Sequence, residues 1–167
     1  ISQTSQNAFL FPNETSPIDN ISNLRKLPRG VYLTVGTERG FISAANALNV
    51  DRLILADVSQ AVNLYNLINI LLIHSSNNKE DYLELRLNSD YQNWKAKLET
   101  ISDLTPKEVD FFTTKEVYNW WDKTIRTPLW DSFHKDPIHQ TEMNHHFKGM
   151  NYLFNDESYE KIRSLVL

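Results

Sequence analysis

Two short apolar segments on either side of a glycine-bearing turn constrain the fold of this chain more than any other feature. Residues 31–35 are β-branched and aromatic and run into Gly36, and residues 52–56 form a second such segment that ends at Asp57. Between them, residues 41–47 have the pattern of a helix. The order strand, turn, helix, strand predicts two parallel strands joined by a right-handed crossover.

A longer amphipathic helix is predicted directly after the second strand. Ser59 can cap its first turn, because a serine side chain accepts a hydrogen bond from a free backbone N–H there. Apolar side chains then recur at helical spacing along one face: Ala61, Leu64, Tyr65, Ile68, Leu71 and Leu72. We therefore assign residues 30–74 to one βαβα unit. It follows an irregular arm, residues 1–29, whose first twenty residues are rich in Ser, Asn, Thr and Pro.

The middle of the chain is predicted to be helical. Residues 79–101 have a helical pattern that is broken around residues 88–90. Thr105-Pro106-Lys107-Glu108 is a capping box with proline at the first helical position, so a helix should begin there. Residues 113–116 repeat the capping pattern and predict the start of another helix.

The predicted sheet is incomplete within these residues. We assign residues 75–150 to a large helical insertion and residues 151–167 to a segment with a last helix, which starts at Asn155 or Asp156. No strong strand signal follows the second strand, and two parallel strands do not make a stable core alone. The expected fold class is therefore α/β with a partial parallel sheet, and we expect the missing strands beyond Leu167 or in a partner chain.

Composition narrows the classes of function. The 167 residues include 17 Lys and Arg, 21 Asp and Glu and no cysteine, for a net charge of −4. The lack of cysteine excludes a disulfide scaffold, a thiolate zinc site and a cysteine nucleophile. The mild acidity argues against nucleic acid as a partner, and no apolar run reaches the roughly 18 residues of a membrane span.

Two other clusters have ordinary structural explanations. Four histidines and three acidic residues share one irregular stretch, but their spacing matches no tight metal-ligand pattern, so we predict no metal site and name His134 and His146 only as possible acid–base groups. Those seven residues are His134, His139, His145, His146, Asp131, Asp136 and Glu142. A second cluster is aromatic, and its helical spacing favours core packing over a pocket wall: Phe111, Phe112, Trp120, Trp121, Trp130 and Phe133.

The glycine turn is the strongest candidate for a ligand site. A parallel strand delivers the chain to Gly36 at the carboxyl edge of the sheet, where the next helix points its free N–H groups. Asp57 ends the second strand about twenty residues later, the spacing at which an acid meets ribose hydroxyls in nucleoside-binding units. The alternative is that any such unit needs a glycine turn and that the aspartate caps the following helix.

Residues 31–40, Val-Tyr-Leu-Thr-Val-Gly-Thr-Glu-Arg-Gly, and residues 53–57, Leu-Ile-Leu-Ala-Asp, resemble the first two motifs of class I S-adenosylmethionine-dependent methyltransferases. The similarity is greatest to an uncharacterised bacterial group of that fold, of the hypothetical-protein type found in Leptospira. Residues 150–154 and 156–163 are similar to the segment before that group's third strand. The resemblance implies the N-terminal part of a Rossmann-like parallel sheet, with S-adenosylmethionine as cofactor.

The resemblance also implies roles for matching positions. Gly36, Thr37, Glu38 and Gly40 would line the methionine and ribose side of the cofactor, and Asp57 would hold the ribose hydroxyls. The sequence departs from the usual Gly-x-Gly-x-Gly turn, since its middle glycine is replaced and the acid that often precedes the turn is absent. No catalytic residue is implied, because methyl transfer can proceed by positioning without a dedicated base.

Two classes of function follow. The first is an S-adenosylmethionine-dependent methyltransferase that acts on an unidentified acceptor in the cytoplasm. The second is a non-enzymatic scaffold, or a secreted effector or toxin segment, that uses a degenerate methyltransferase fold and binds through its helical insertion. The smaller number of glycines in the turn motif favours the second class. The position of Asp57 at the end of the second strand favours the first. A nicotinamide-dependent oxidoreductase is a third option, which the missing Gly-x-Gly-x-x-Gly motif disfavours.

Overall fold

The computed structural model describes residues 21–126, 152–153 and 155–166. These residues form a mixed α/β structure that is mostly helical and contains a two-stranded parallel sheet. The elements in chain order are α1 (Ile21–Leu24), β1 (Gly30–Thr34), α2 (Glu38–Asn46), β2 (Val50–Leu55), α3 (Gln60–His74), α4 (Lys79–Leu87), α5 (Tyr91–Leu98), α6 (Pro106–Phe112), α7 (Lys115–Trp121), a π-helical turn (Asp122–Arg126) and α8 (Asp156–Val166).

The chain divides into two compact units, and the boundary lies within α3, between Leu67 and Ile68. The described part of the first unit contains the sheet, α1, α2, the start of α3 and α8. That of the second contains the rest of α3 and the helices from α4 to the π-helical turn. No helix in the described ranges is long and apolar enough to cross a membrane.

The predicted parallel strand pair is confirmed. β1 and β2 pair in parallel with Leu33 opposite Ile54 and Thr34 opposite Leu55. β1 begins and ends one residue before the predicted segment, and β2 runs over Val50–Leu55 rather than residues 52–56. Paired positions in a parallel sheet point to the same face, so the sheet has two distinct faces.

One face of the sheet packs closely against α2. A Cβ atom at Gly40 would lie 2.6 Å from Thr34 Cγ2 and 3.1 Å from Leu55 Cδ2. Only a hydrogen fits at this contact, so glycine allows α2 to lie directly on both strands. The same helix buries Phe41 and Ala44 completely.

The other face of the sheet is apolar and exposed. Val31, Leu33 and Ile54 keep 59%, 65% and 42% of their surfaces exposed. Parallel sheets in globular proteins are usually covered on both faces. This pair of strands is therefore covered by α2 on one face, while its apolar residues on the other face remain accessible.

The last helix belongs to the first unit, where it contacts α2 and β2. α8 begins at Asp156, one of the two predicted positions, and Asn155 caps it by accepting a 2.9 Å hydrogen bond from the backbone N–H of Ser158. Tyr159 and Ile162 are fully buried, and Lys161 donates a hydrogen bond to the carbonyl of Leu48. The amphipathic pattern of this helix thus packs it against the βαβ unit.

The predicted helical segment 79–101 is confirmed as two helices, with the break at residues 88–90 where it was predicted. α4 ends at Leu87, and Asp90 caps α5 by accepting a 2.8 Å hydrogen bond from the backbone N–H of Asn93. The predicted capping box is also confirmed, because Thr105 and Glu108 each accept a hydrogen bond from the other's backbone N–H. The hydrogen bonds that Thr105 donates to the Glu108 carboxylate lower the pKa of Glu108.

The second predicted capping pattern is wrong by one residue. Thr114, not Thr113, caps α7, and it accepts a 3.3 Å hydrogen bond from the backbone N–H of Val117. The hydroxyl of Thr113 instead donates to the carbonyl of Val109 in the last turn of α6. The Thr114 hydroxyl also donates to the carbonyl of Phe111, so it links the end of α6 to the start of α7.

The core of the second unit is aromatic. Trp94 and Trp121 are fully buried, and their ring N–H groups donate to the carbonyls of Phe112 and Arg86. The interpretation as core is therefore confirmed for Phe112 and Trp121, whereas Phe111 is 47% exposed. Trp130 and Phe133 of the aromatic cluster lie outside the described residues. So do the four histidines and three acids of the other cluster noted in the sequence.

A buried arginine caps the carboxyl end of α4 in this unit. The guanidinium group of Arg126 donates to the carbonyls of Leu85, Arg86 and Ser89 at 2.7 to 2.9 Å. It also lies 5.2 Å from the centre of the Tyr118 ring. Arg126 thus satisfies carbonyl groups at the carboxyl end of α4 that the helix itself leaves without partners.

Candidate ligand site at the glycine turn

The turn after β1 brings together the two residues that the sequence pattern singled out. Gly36 has a φ of +86°, a conformation that glycine adopts at little cost. Its backbone N–H donates a 3.1 Å hydrogen bond to Asp57 Oδ2. Because parallel strands end at the same edge of a sheet, the residue after β1 and the acid after β2 lie side by side, as expected.

Asp57 also organises the start of α3. Its Oδ1 atom accepts a 2.8 Å hydrogen bond from the backbone N–H of Ser59, and its carbonyl accepts one of 2.7 Å from the Asn63 side chain. The residue is half-buried. The carboxylate itself thus accepts two hydrogen bonds, from the N–H groups of Gly36 and Ser59. A carboxylate has about four acceptor positions, so it can accept further donors.

Asn66 of α3 holds the other side of the glycine. Its Nδ2 atom donates a 2.9 Å hydrogen bond to the carbonyl of Gly36. Its Oδ1 atom is buried and has no hydrogen-bond partner in the described part of the chain. Sequence reasoning missed this residue, although Asn63 and Asn66 lie three positions apart on one helix and therefore share a face.

The first turn of α2 is buried against the C-terminal part of the first unit. Glu38 is 7% exposed, and its Oε2 atom accepts a 2.7 Å hydrogen bond from the hydroxyl of Tyr152. The Tyr152 ring lies 5.6 Å from that of Phe41. Thr37, at the start of α2, is also buried.

The five predicted site residues thus divide into two groups. Gly36 and Asp57 are in contact at the carboxyl ends of the strands. Thr37 follows Gly36 in the chain. Glu38 is held by Tyr152, and Gly40 packs on the sheet. Contact of any of the five with a cofactor stays a prediction.

The chemistry of the turn is that of a hydrogen-bond acceptor site. It presents the Asp57 carboxylate, and the Asn66 amide that binds the Gly36 carbonyl adds a buried acceptor oxygen. Such a set suits hydroxyl, amino or cationic groups, whereas it repels phosphate. Among the described residues, no cluster of His, Asp and Glu has the geometry to hold a metal ion.

Comparison with protein families identifies one match, which spans nearly the whole chain. The model of a domain of unknown function, DUF7790, matches residues 10–167. No curated protein matches the sequence. The matched range includes both strands, the glycine turn, all the described helices and every residue of the candidate site, so the chain belongs to the DUF7790 family.

Proposed function

We propose that the glycine turn binds S-adenosylmethionine and that the protein transfers its methyl group to an acceptor. The observation that carries the proposal is the 3.1 Å hydrogen bond between the Gly36 N–H and Asp57, formed where two parallel strands end. This pairing of a glycine turn with an acid on the neighbouring strand suits a nucleoside, whose ribose hydroxyls are donors for the carboxylate.

The polar groups at the turn suit this cofactor. The Asp57 carboxylate and the Asn66 oxygen are acceptors, and S-adenosylmethionine offers hydroxyl and amino donors with a positive sulfonium centre. An acid at this position also binds the ribose of a dinucleotide, so the acceptors alone do not separate the two cofactors. The missing Gly-x-Gly-x-x-Gly motif is what argues against a nicotinamide dinucleotide.

In the proposed reaction the chain's residues act by binding and orientation. When bound, S-adenosylmethionine supplies a methyl group activated by its sulfonium sulfur. Asp57 accepts hydrogen bonds from the ribose, Gly36 allows a close backbone approach, and Asn66 holds the turn in place. Alignment of the acceptor with the methyl group supplies the rate enhancement, so no side chain is assigned as a base.

We also propose that β1 and β2 are the first two strands of a Rossmann-like sheet. The parallel pairing, the crossover through α2 and the exposed apolar side chains of Val31, Leu33 and Ile54 support this. Further strands would extend such a sheet at its edges, and their crossover helices would cover that face.

A second function is favoured by a different observation. Glu38 is bound by Tyr152, and Gly40 is packed against Thr34. Gly36 and Asp57 are hydrogen-bonded to each other, so four of the five motif residues serve internal contacts. This is the arrangement expected of a scaffold or interaction protein on a degenerate methyltransferase fold. For a methyltransferase we expect a cytoplasmic location. For this alternative we expect a secreted effector or toxin segment.

Calorimetric titration distinguishes the two functions. S-adenosylhomocysteine is the probe because it has the same nucleoside and amino acid parts without the reactive methyl group. We expect saturable heat from this probe and none from a nicotinamide dinucleotide at the same concentration. No heat from S-adenosylhomocysteine at roughly millimolar concentration, where even weak binding at about −4 kcal/mol is measurable, contradicts the methyltransferase proposal.

A further inference from the structure

Asn66 carries a buried polar atom that the fold itself does not use. The side chain is 3% exposed, and its Nδ2 atom donates to the Gly36 carbonyl at 2.9 Å. A carbonyl can only accept, so the amide nitrogen must face it and the amide oxygen must face away. That oxygen has no hydrogen-bond partner in the described part of the chain. Buried acceptors without partners are uncommon because they cost folding free energy.

We propose that Asn66 Oδ1 accepts a hydrogen bond from a hydroxyl or amino group of the ligand bound at the glycine turn. Asn66 would thus be a specificity-determining residue of the cofactor site. The inference rests on the proposed function and adds to it a contact that the turn motif does not contain. The residue lies on α3, outside the glycine motif and beyond the terminal acid.

The position of Asn66 around the glycine supports this assignment. Gly36 is held on its N–H by Asp57 and on its carbonyl by Asn66, so the two side chains flank one residue. A ligand placed over Gly36 meets the Asp57 carboxylate, and it meets the buried Asn66 oxygen once the turn has shifted. Asp57 contributes negative charge and Asn66 a neutral acceptor, so the group that binds there is a donor and not a phosphate or carboxylate.

The burial of the Asn66 oxygen adds a requirement. Its exposed area is below 1 Å², so a ligand donor reaches it only when the turn shifts locally. Gly36 has a positive φ, and glycine can change its backbone angles at little steric cost, so the turn can shift at this position. We therefore expect ligand binding to change amide hydrogen exchange at Gly36 as well as at Asn66.

Asn63 provides a matched control. It is the same residue type on the same helix, three positions earlier, and it holds the neighbouring loop by donating to the Asp57 carbonyl at 2.7 Å. Asn63→Ala and Asn66→Ala each remove one amide and one loop hydrogen bond. Only Asn66→Ala also removes the buried acceptor.

The experiment measures affinities of both variants and the wild type for a series of ligands. The probes are S-adenosylhomocysteine, adenosine, and adenosine analogues that each lack one donor: the 2′-hydroxyl, the 3′-hydroxyl or both N6 hydrogens. We expect Asn66→Ala to weaken adenosine binding about tenfold and Asn63→Ala to weaken it less than threefold. The wild type should bind one analogue about tenfold more weakly than it binds adenosine. Asn66→Ala should bind that analogue and adenosine equally, which is the signature of a direct contact.

Each other outcome overturns the inference. If Asn66→Ala binds as the wild type does, or if every analogue loses affinity equally on both proteins, Asn66 does not contact the ligand, while the proposed function stands. If the wild type binds no member of the series, the proposed function fails and the inference fails with it. Should Asn66→Ala not fold, the side-chain amide NMR signal of Asn66 in the wild type decides, because only ligands with the donor should shift it.

Discussion

The Tyr152 hydroxyl donates a 2.7 Å hydrogen bond to Glu38 Oε2, across 114 positions of sequence. Both residues are buried, and the contact ties the C-terminal part of the first unit to the first turn of α2. A buried carboxylate needs such donors, because its desolvation is otherwise uncompensated. This hydrogen bond therefore stabilises the first turn of α2, which follows the glycine turn directly in the chain.

Tyr152→Phe removes this donor while keeping the ring packed on Phe41. We expect a loss of about 1–3 kcal/mol in the free energy of unfolding, since the partner is a buried acid. Urea denaturation measures the change. Tyr32→Phe, on half-buried β1, serves as the control and should change stability little. Equal unfolding midpoints for Tyr152→Phe and the wild type would show that the contact contributes nothing.

Gly40→Ala tests the close packing of α2 on the sheet. The added Cβ would lie 2.6 Å from Thr34 Cγ2, so we expect destabilisation of about 1–3 kcal/mol despite the higher helix propensity of alanine. Thr34→Ser removes the clashing methyl group. The double variant should therefore recover much of the stability in thermal unfolding. Strictly additive losses in the two single variants would contradict this packing.

The ion pair between Asp81 and Lys97 predicts a pH dependence. Partial burial alone would raise the pKa of Asp81, but the 2.7 Å hydrogen bond from Lys97, the bonds from Asn77 and the lysine charge outweigh it and lower the pKa below 3.8. Because the folded-state pKa is below the unfolded value, the stabilisation is complete above about pH 5 and is lost as pH falls through and below 3.8.

Asp81→Asn tests this dependence. We expect the variant to be less stable than the wild type by about 1 kcal/mol at pH 7, with the difference closing as the pH falls toward 2. Asp110→Asn, on the exposed surface of α6, is the control and should show no such pattern. A stability difference that stays constant between pH 7 and pH 2 would contradict the assignment.

Arg126→Met tests whether Arg126 stabilises the carboxyl end of α4. The variant keeps an unbranched apolar side chain but removes the donors to the carbonyls of Leu85, Arg86 and Ser89. We expect a loss of about 1–3 kcal/mol, because three buried hydrogen bonds from a charged donor are lost, while each carbonyl keeps one other donor. Arg126→Lys should rescue little, since an ammonium group lacks the planar fork. Lys123→Met, at an exposed position of the same turn, should be near neutral in chemical denaturation.

The sequence was sufficient to predict that Gly36 and Asp57 lie at the same edge of the sheet, although not the hydrogen bond between them. Both strands are short apolar segments with clear ends, and parallel pairing necessarily brings their carboxyl ends to one edge. The capping box at Thr105 and Glu108 was predictable for a similar reason, since all its atoms lie within four residues. Local patterns therefore gave the elements and the location of the turn.

Contacts set by tertiary packing could not be read from the same patterns. Nothing near Glu38 indicates that Tyr152 will bind it, and nothing near Asn66 indicates that its amide will reach Gly36. The shift of the helix cap from Thr113 to Thr114 has the same origin, because it depends on where α6 ends. The residues that sequence reasoning missed at the site are those whose role depends on distant parts of the chain.

The central claim is that Asp57 holds the ribose of S-adenosylmethionine at the glycine turn. Calorimetric titration of S-adenosylhomocysteine into the wild type, Asp57→Asn and Asp51→Asn tests it most directly. Asp51 is an exposed aspartate of β2, paired with Arg29, and is the matched control. The account predicts saturable binding by the wild type and Asp51→Asn and a loss of at least about tenfold in affinity for folded Asp57→Asn. Equal affinities for Asp57→Asn and the wild type, or no binding by the wild type, would contradict it.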